Sequence, residues 1–228
     1  LATEVISADQ VVIGKFFREN RSQLKYSDLP KNLVDALVAT EDERFYEHSG
    51  IDGRGTLRAI ASLGTSGGAS TLTQQLAKQL FHGEGSKFLP FRIVQKAKEW
   101  IIAIRLERQY TKNEILAMYC NVYDFGNYSV GVSSAAQTYF SKTPKELTID
   151  ESAILVGMFK NSGLYNPVRN PQGVKNRRNV VLAQMQKSKM ISEAQKIKLQ
   201  ALPITLKFKL ESHREGTATY FREYLRDY

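Results

Sequence analysis

Leu33-Val34-Asp35-Ala36-Leu37-Val38-Ala39-Thr40-Glu41-Asp42-Glu43-Arg44-Phe45-Tyr46-Glu47-His48-Ser49-Gly50 passes without a break from an apolar helical run into the densest polar cluster of the chain. Apolar residues at helical spacing, with Pro30 where a first turn can begin, predict a helix over Pro30–Thr40. The acidic cluster then falls at a helix C-terminus, where negative charge opposes the macrodipole and costs stability. A carboxylate held there, beside buried apolar turns, suits general acid–base chemistry. The alternative is a solvated loop in which Glu41 or Glu47 pairs with Arg44, and composition alone favours that alternative. His48 by itself reads as a structural hydrogen-bonding group rather than a metal ligand.

Helix signals continue outward from this stretch. Thr111-x-x-Glu114, Thr148-x-x-Glu151 and Ser192-x-x-Gln195 each match a capping box, in which side chains satisfy the open amides of a first turn. Helices are expected near Thr71–Phe81, Ile93–Tyr110, Lys112–Asn121, Val130–Tyr139, Ile149–Phe159, Pro171–Lys187 and Glu193–Ala201. Two stretches read as extended: Glu4–Phe17, and Ile204–Leu210 with its alternating pattern. Glycines over Gly50–Gly68, at Gly83 and Gly85, and around Gly126–Gly131 mark loops. The fold class expected is mainly α, with no internal repeat.

The chain has 228 residues, 42% of them hydrophobic and 24% charged, enough to bury one substantial core and too apolar for a disordered chain. Lys plus Arg is 32 against 23 for Asp plus Glu, a net charge of +9 that favours an anionic partner: nucleic acid, a phosphate-bearing substrate or an acidic membrane surface. A single cysteine, Cys120, excludes an internal disulfide framework and a cysteine-based zinc cluster. No apolar run approaches the ~20 residues that span a bilayer, and no signal peptide is visible. The chain opens at Leu1 rather than Met, so it is expected to be trimmed from something longer.

Two further segments carry chemistry. Gly67-Gly68-Ala69-Ser70-Thr71-Leu72-Thr73-Gln74-Gln75-Leu76-Ala77-Lys78 leads from a Gly/Ser entry into a helix whose open amides can face an anion. At helical spacing Thr71, Gln74, Gln75 and Lys78 share one face: a sugar-and-phosphate-binding strip, or an ordinary solvated helix face, the commoner case. The entry lacks the Gly-Lys-Ser/Thr ending of a nucleotide P-loop. In Gln95-Lys96-Ala97-Lys98-Glu99-Trp100-Ile101-Ile102-Ala103-Ile104-Arg105-Leu106, the second half is apolar nearly all round and is expected to run through the core. Glu99 lies on the stripe of Ile102 and Leu106 and faces inward, so it needs either a cationic partner or a task.

Together these segments resemble the bacterial peptidoglycan glycosyltransferase family, the polymerase module of class A penicillin-binding proteins. Glu41-Asp42-Glu43-Arg44-Phe45-Tyr46-Glu47-His48-Ser49-Gly50 matches the family's Glu-Asp-x-x-Phe-x-x-His-x-Gly signature, and Gly68-Ala69-Ser70-Thr71-Leu72-Thr73-Gln74-Gln75 its Gly-Gly-Ser-Thr-Ile-Thr-Gln-Gln. Gln95-Lys96-Ala97-Lys98-Glu99 falls on Arg-Lys-x-x-Glu. Glu114 to Asn121, continuing through Phe125-Gly126 to Ala135-Ala136, is similar to the fourth motif. Glu151-Ser152-Ala153-Ile154-Leu155, then Tyr165-Asn166-Pro167 and Arg177-Arg178, is similar to the fifth. Five motifs in order, spread over residues 30–190, are far more specific than any one of them. Gln95 stands where the family has Arg, Cys120 where it has Leu, and Ala69 where it has Gly. The segment between Phe81 and Gln95 is longer than usual, leaving Lys87 and Arg92 as candidates for the family's basic residue there.

The resemblance implies polymerisation of lipid II into glycan strands with inversion at the anomeric carbon and release of polyprenyl pyrophosphate. Glu41 would be the general base, and Glu99 would orient cations or assist the leaving group. Lys78, Lys96, Lys98 and Lys87 or Arg92 would meet the pyrophosphate, with Arg44, Ser70, Thr71, Gln74 and Gln75 as further substrate contacts. No cofactor is expected to be tightly bound. A divalent cation (Mg or Mn) on the pyrophosphate is expected to be met, if anywhere, by Asp42. The implied fold is a lysozyme-like lobe plus a smaller membrane-proximal helical lobe around a long cleft. The implied division is an extended segment over 1–29 following a membrane anchor, a glycosyltransferase domain over 30–203, and a linker over 204–228 towards a transpeptidase domain. The implied place is the outer face of the bacterial cytoplasmic membrane. Partners would be lipid II, the growing lipid-linked strand, the membrane surface and other cell-wall synthesis proteins. Nucleic acid is not expected, because Phe45, Trp100 and Tyr119 sit in core-like positions rather than interleaved with basic residues. A lytic transglycosylase or lysozyme-like hydrolase, which also works through one glutamate, is the enzymatic rival.

Phe81–Ile93 carries an expectation of its own. Pro90 discourages a helix through its middle, and Phe88, Leu89 and Phe91 lie between Lys87 and Arg92, the pattern of a segment that dips into a membrane interface. A loop folded back over the core is the alternative.

Overall fold

A computed structural model of the protein describes residues 3–6, 8–10, 12–16, 23–61, 70–81 and 89–210. Strands β1 (Thr3–Ile6) and β2 (Val12–Phe16) pair antiparallel within the stretch expected to be extended. The rest is helical: α1 (Lys31–Glu41), α2 (Gly53–Ala61), α3 (Leu72–Phe81), α4 (Leu89–Gln109), α5 (Lys112–Val122), α6 (Val132–Phe140), α7 (Ile149–Met158), α8 (Pro171–Lys187) and α9 (Glu193–Ala201). All three capping boxes form: Thr111, Thr148 and Ser192 accept the amides of Glu114, Glu151 and Gln195, and those side chains reach back to the cap amides. Asn170 caps α8 in the same sense, through the amide of Gly173, with Pro171 as the first helical residue.

The structure corrects three expectations. Helix α2 lies inside the stretch expected to be a glycine loop. Its Gly55 is there because Asp52 accepts the Gly55 amide at 3.0 Å, and a β-carbon on Gly55 would fall 2.5 Å from Asp52 Oδ2. Helix α4 starts at Leu89, ahead of the expected Ile93, with Pro90 in its first turn, where a missing N–H removes no helical hydrogen bond. The interfacial segment proposed around Lys87 and Phe88 otherwise lies outside the described residues. The second half of α4 is not buried all round. Glu99, Ala103 and Leu106 face inward, whereas Ile101 is 55% exposed on the side that carries Arg105. The second stretch expected to be extended, within 203–210, carries no helix and pairs with no strand among the described residues. The Lys207 and Lys209 amides donate to the carbonyls of Tyr139 and Thr138 at the end of α6, while Ile204 and Leu206 pack on the core.

Helix α1 runs against both α7 and α8, and α3 lies against α4 and α5. Leu33, Ala36 and Leu37 of α1 and Leu72 and Leu76 of α3 are wholly buried. Tyr119, Tyr123, Phe125 and Phe159 form an aromatic cluster with ring centroids 4.6 to 5.1 Å apart, joining α5 to the end of α7. Cys120 is buried beside them, and burial alone pushes its thiol up to about 12, so it packs as an apolar group. Among the described residues no helix is long and apolar enough to cross a membrane.

Candidate active site

Glu41 is the last residue of α1, and the chain leaves the helix at Asp42 (φ −159°, ψ 76°), so the two neighbouring carboxylates point to different partners. Glu41 Oε2 accepts from Gln75 Nε2 at 3.1 Å, and Oε1 lies 3.4 Å from Arg177 Nη2. Asp42 turns inward: its Oδ2 accepts the Leu72 amide at the start of α3 at 3.0 Å, and both oxygens lie within 3.1 Å of His48 Nε2. Its side chain is 5% exposed. A carboxylate at a helix N-terminus complements the dipole there, so Asp42 anchors α3, and His48 is the structural hydrogen-bonding group the sequence suggested.

This geometry does not fit a metal held by the protein. Both oxygens of Asp42 are spent on His48 and Leu72, and among the described residues no three His, Cys, Asp or Glu side chains group to hold an ion. Asp42 lines the pocket, and the role its own contacts give it is anchoring the start of α3; an ion carried by a substrate pyrophosphate would need no such protein cluster.

The polar loop is fastened from several sides. Gly50 adopts φ +89°, and a β-carbon there would fall 2.9 Å from the Ala103 backbone, so only glycine lets the loop lie against α4. Thr71 Oγ1 donates to the Gly50 carbonyl at 2.7 Å, and Lys112 Nζ donates to the His48 carbonyl at 2.6 Å while standing 4.3 Å over the Phe45 ring. Arg44 forms an ion pair with Asp52 that holds the guanidinium pKa up; against the rise that burial causes, the Gly55 amide and then Arg44 hold the Asp52 carboxyl pKa down.

Glu41, Asp42, Glu43, Arg44, Ser70 and Thr71 line one pocket together with Asp52, Gly55 and Arg58, around about 410 Å³ of space open to solvent. Ser70 links this pocket to α4, because Lys96 Nζ lies 2.8 Å from Ser70 Oγ and 3.0 Å from Glu99 Oε2. Glu99 faces inward as expected, with Lys96 as its cationic partner.

The strip expected along α3 divides. Thr71 and Gln74 are buried, and the Gln74 amide bonds the Gly50 carbonyl and Ser70, so these two support the loop from behind. Gln75 reaches Glu41, whereas Lys78 is exposed, as is Lys98 on α4. Lys87 and the Arg92 side chain lie outside the described residues. Arg177, Asp52 and Arg58 carry no sequence signal of a site role. Arg177 was visible only as half of an Arg-Arg pair, and periodicity does not say which arginine meets Glu41 and which is buried.

A family model described as transglycosylase matches residues 9–186. The chain is 41% identical over 209 residues to penicillin-binding protein 1A of Vibrio cholerae, covering 90% of this chain and 25% of that protein. It is 36% identical over 223 residues to penicillin-binding protein 1F of Bacillus subtilis, covering 96% of this chain and 30% of that protein. The crystal structure of penicillin-binding protein 1A from Haemophilus influenzae matches with a TM-score of 0.54 at 27% identity, over 99% of this chain and 23% of that one. The chain thus spans about a quarter of the length of the relatives it matches. It belongs to the transglycosylase family. Within that family it is a glycosyltransferase domain of the class A penicillin-binding type.

Proposed function

We propose that this chain polymerises lipid II into glycan strands at the outer face of the bacterial cytoplasmic membrane, within the machinery of cell-wall synthesis. The observation that carries the reading is Glu41: a carboxylate on the wall of an open pocket, steadied by Gln75 and Arg177, with the Ser70–Lys96–Glu99 chain adjoining it. Glu41 takes the proton from the C4 hydroxyl of the acceptor sugar. That oxygen bonds to the anomeric carbon of the donor from the face opposite the leaving group. The bond to pyrophosphate breaks, and its electron pair departs with the polyprenyl pyrophosphate. The developing charge is met by Lys96, with Lys78 and Lys98 drawn in from the surface. Glu99 holds Lys96 in place.

The membrane location is supported by exposed apolar side chains next to exposed basic ones on the same helices, Leu57 beside Arg54 and Arg58 on α2, Leu80 and Phe81 beside Lys78 on α3, and Val94 and Ile101 beside Lys98 and Arg105 on α4, a pairing suited to anionic headgroups. Glycan cleavage by the same glutamate is disfavoured by the family to which the chain belongs.

Incubation with detergent-solubilised lipid II and, separately, with finished peptidoglycan tests the reading. Strand products and free polyprenyl pyrophosphate from the first, with no soluble fragments from the second, are expected; the reverse pattern rejects it. Replacing the exposed Lys78 with Ala should slow lipid II turnover about ten-fold, the worth of one charge-assisted contact. It should leave stability within about 0.5 kcal/mol of the parent, as for other surface changes. A variant that loses melting temperature but keeps turnover would remove Lys78 from the substrate path.

A further inference from the structure

Among the described residues Glu41 is held by two donors, Gln75 and Arg177, and the arrangement distinguishes its two oxygens. Gln75 presents one end of its amide to Glu41 Oε2 and the other to Tyr119, whose hydroxyl donates to Gln75 Oε1 at 2.8 Å. An amide is nearly symmetric in shape, so its neighbours decide which end faces where. Tyr119 is wholly buried, and burial followed by the nearby Glu41 charge raises its pKa well above 10, so the hydroxyl remains a proton donor. Its ring stacks on Phe159 with centroids 4.8 Å apart, which fixes the direction of that hydroxyl. A reversed Gln75 amide would set its carbonyl against the Glu41 carboxylate, two acceptors face to face.

The other oxygen is held more loosely. Arg177 Nη2 stands 3.4 Å from Glu41 Oε1, longer than the roughly 2.7–2.9 Å of a tight charge-assisted bond. Arg177 reaches that position by crossing α7 at Gly157, where a β-carbon would come within 3.0 Å of Arg177 Cγ. Both supports of Glu41 therefore rest on the last turn of α7, Gly157 under Arg177 and Phe159 against Tyr119.

We propose that Tyr119, acting through Gln75, is a positioning residue that occupies Glu41 Oε2 and so leaves Oε1 as the oxygen that takes the acceptor proton. The inference rests on the assignment of Glu41 as general base made above. The incoming hydroxyl replaces the long Arg177 contact at Oε1, while the shorter Gln75 bond stays in place and keeps the carboxylate from rotating during transfer.

The test compares Tyr119→Phe, Gln75→Ala and the double variant on lipid II, with a crystal structure of Tyr119→Phe. The ring and its stack survive the Phe substitution, so the fold is retained. We expect kcat to fall about ten-fold with KM within about two-fold, since orientation of the base matters in the transition state and little to substrate binding. In the Gln75→Ala background, Tyr119→Phe should cost nothing further, because its effect passes through Gln75. In the crystal structure the Gln75 amide should have left Glu41 Oε2. An unchanged kcat, a full loss repeated in the Gln75→Ala background, or a Gln75 amide still on Oε2 would each overturn the proposal. A parent protein inactive on lipid II would reject the functional reading instead, and the crystal structure would still decide whether Tyr119 orients Gln75.

Discussion

Glu41→Gln should abolish strand synthesis in a protein that still folds. Glutamine keeps the size of the side chain and can still accept from Gln75 Nε2, but it has no lone pair basic enough to take the acceptor proton. Loss of a positioned general base costs roughly 10²–10⁴ in rate, and lipid II turnover by the purified variant should fall in that range. Stability should hardly move, because two effects oppose each other. The variant loses the long Arg177 contact, in which both side chains retain some exposure, 12% for Arg177 and 15% for Glu41. It also removes a negative charge from the C-terminus of α1, which relieves an unfavourable dipole interaction of about 0.3–1 kcal/mol. The melting temperature is the control. A variant that keeps more than a small fraction of parental turnover would place the base elsewhere. Glu99 would then be the next carboxylate to test, although its position against Lys96 suits it to holding a cation.

The features legible in the sequence were those set by local chemistry. Capping boxes at Thr111, Thr148 and Ser192 bracket residues three apart and depend on nothing distant, so their helices begin where the pattern says. The inward direction of Glu99 followed from its stripe. What failed depended on geometry that residue pattern and hydropathy do not report. Nothing local distinguishes Glu41 from Asp42; they part because α1 ends between them and the Leu72 amide and His48 wait on the Asp42 side. Helix α2 was hidden because Gly53 and Gly55 read as loop, when Gly55 serves the close approach of the Asp52 carboxylate. Ile101 reads as core because hydropathy cannot report that its face of α4 stays outside. Arg177 and Arg178 are adjacent and identical, yet one reaches Glu41 and the other the interior.

That interior arginine should carry the largest stability effect in the chain. Arg178 is fully buried, with Nη1 2.9 Å from Asp150 Oδ1 in the first turn of α7, a charge pair in which neither atom has an aligned hydrogen-bond partner. Its Nη2 donates to the carbonyls of Gln200 and Leu202 at 3.1 and 2.9 Å, fastening the end of α9 to α8. Arg178→Ala removes the only cation paired with Asp150 among the described residues and leaves two carbonyls without their donor. Breaking a buried pair in this way costs about 3–5 kcal/mol, a large part of the roughly 5–15 kcal/mol that holds a domain together. The loss should depend on pH in a definite direction. Burial raises the Asp150 pKa above its ordinary value while the Arg178 charge opposes the rise. A carboxyl raised in the folded state contributes most below its unfolded pKa of about 3.9, and that contribution fades as pH climbs through the folded value. Without Arg178 the rise is larger, so the variant's deficit should be widest at neutral pH and should narrow as Asp150 takes up its proton. Adding Asp150→Asn should recover part of the neutral-pH loss, since no buried charge then remains. Urea unfolding of the parent, Arg178→Ala and the double variant at pH 7 and pH 4.5 measures all of this. A deficit equal at both pH values, with no recovery on adding Asp150→Asn, would show that Arg178 acts through packing and its carbonyl contacts and not through its charge.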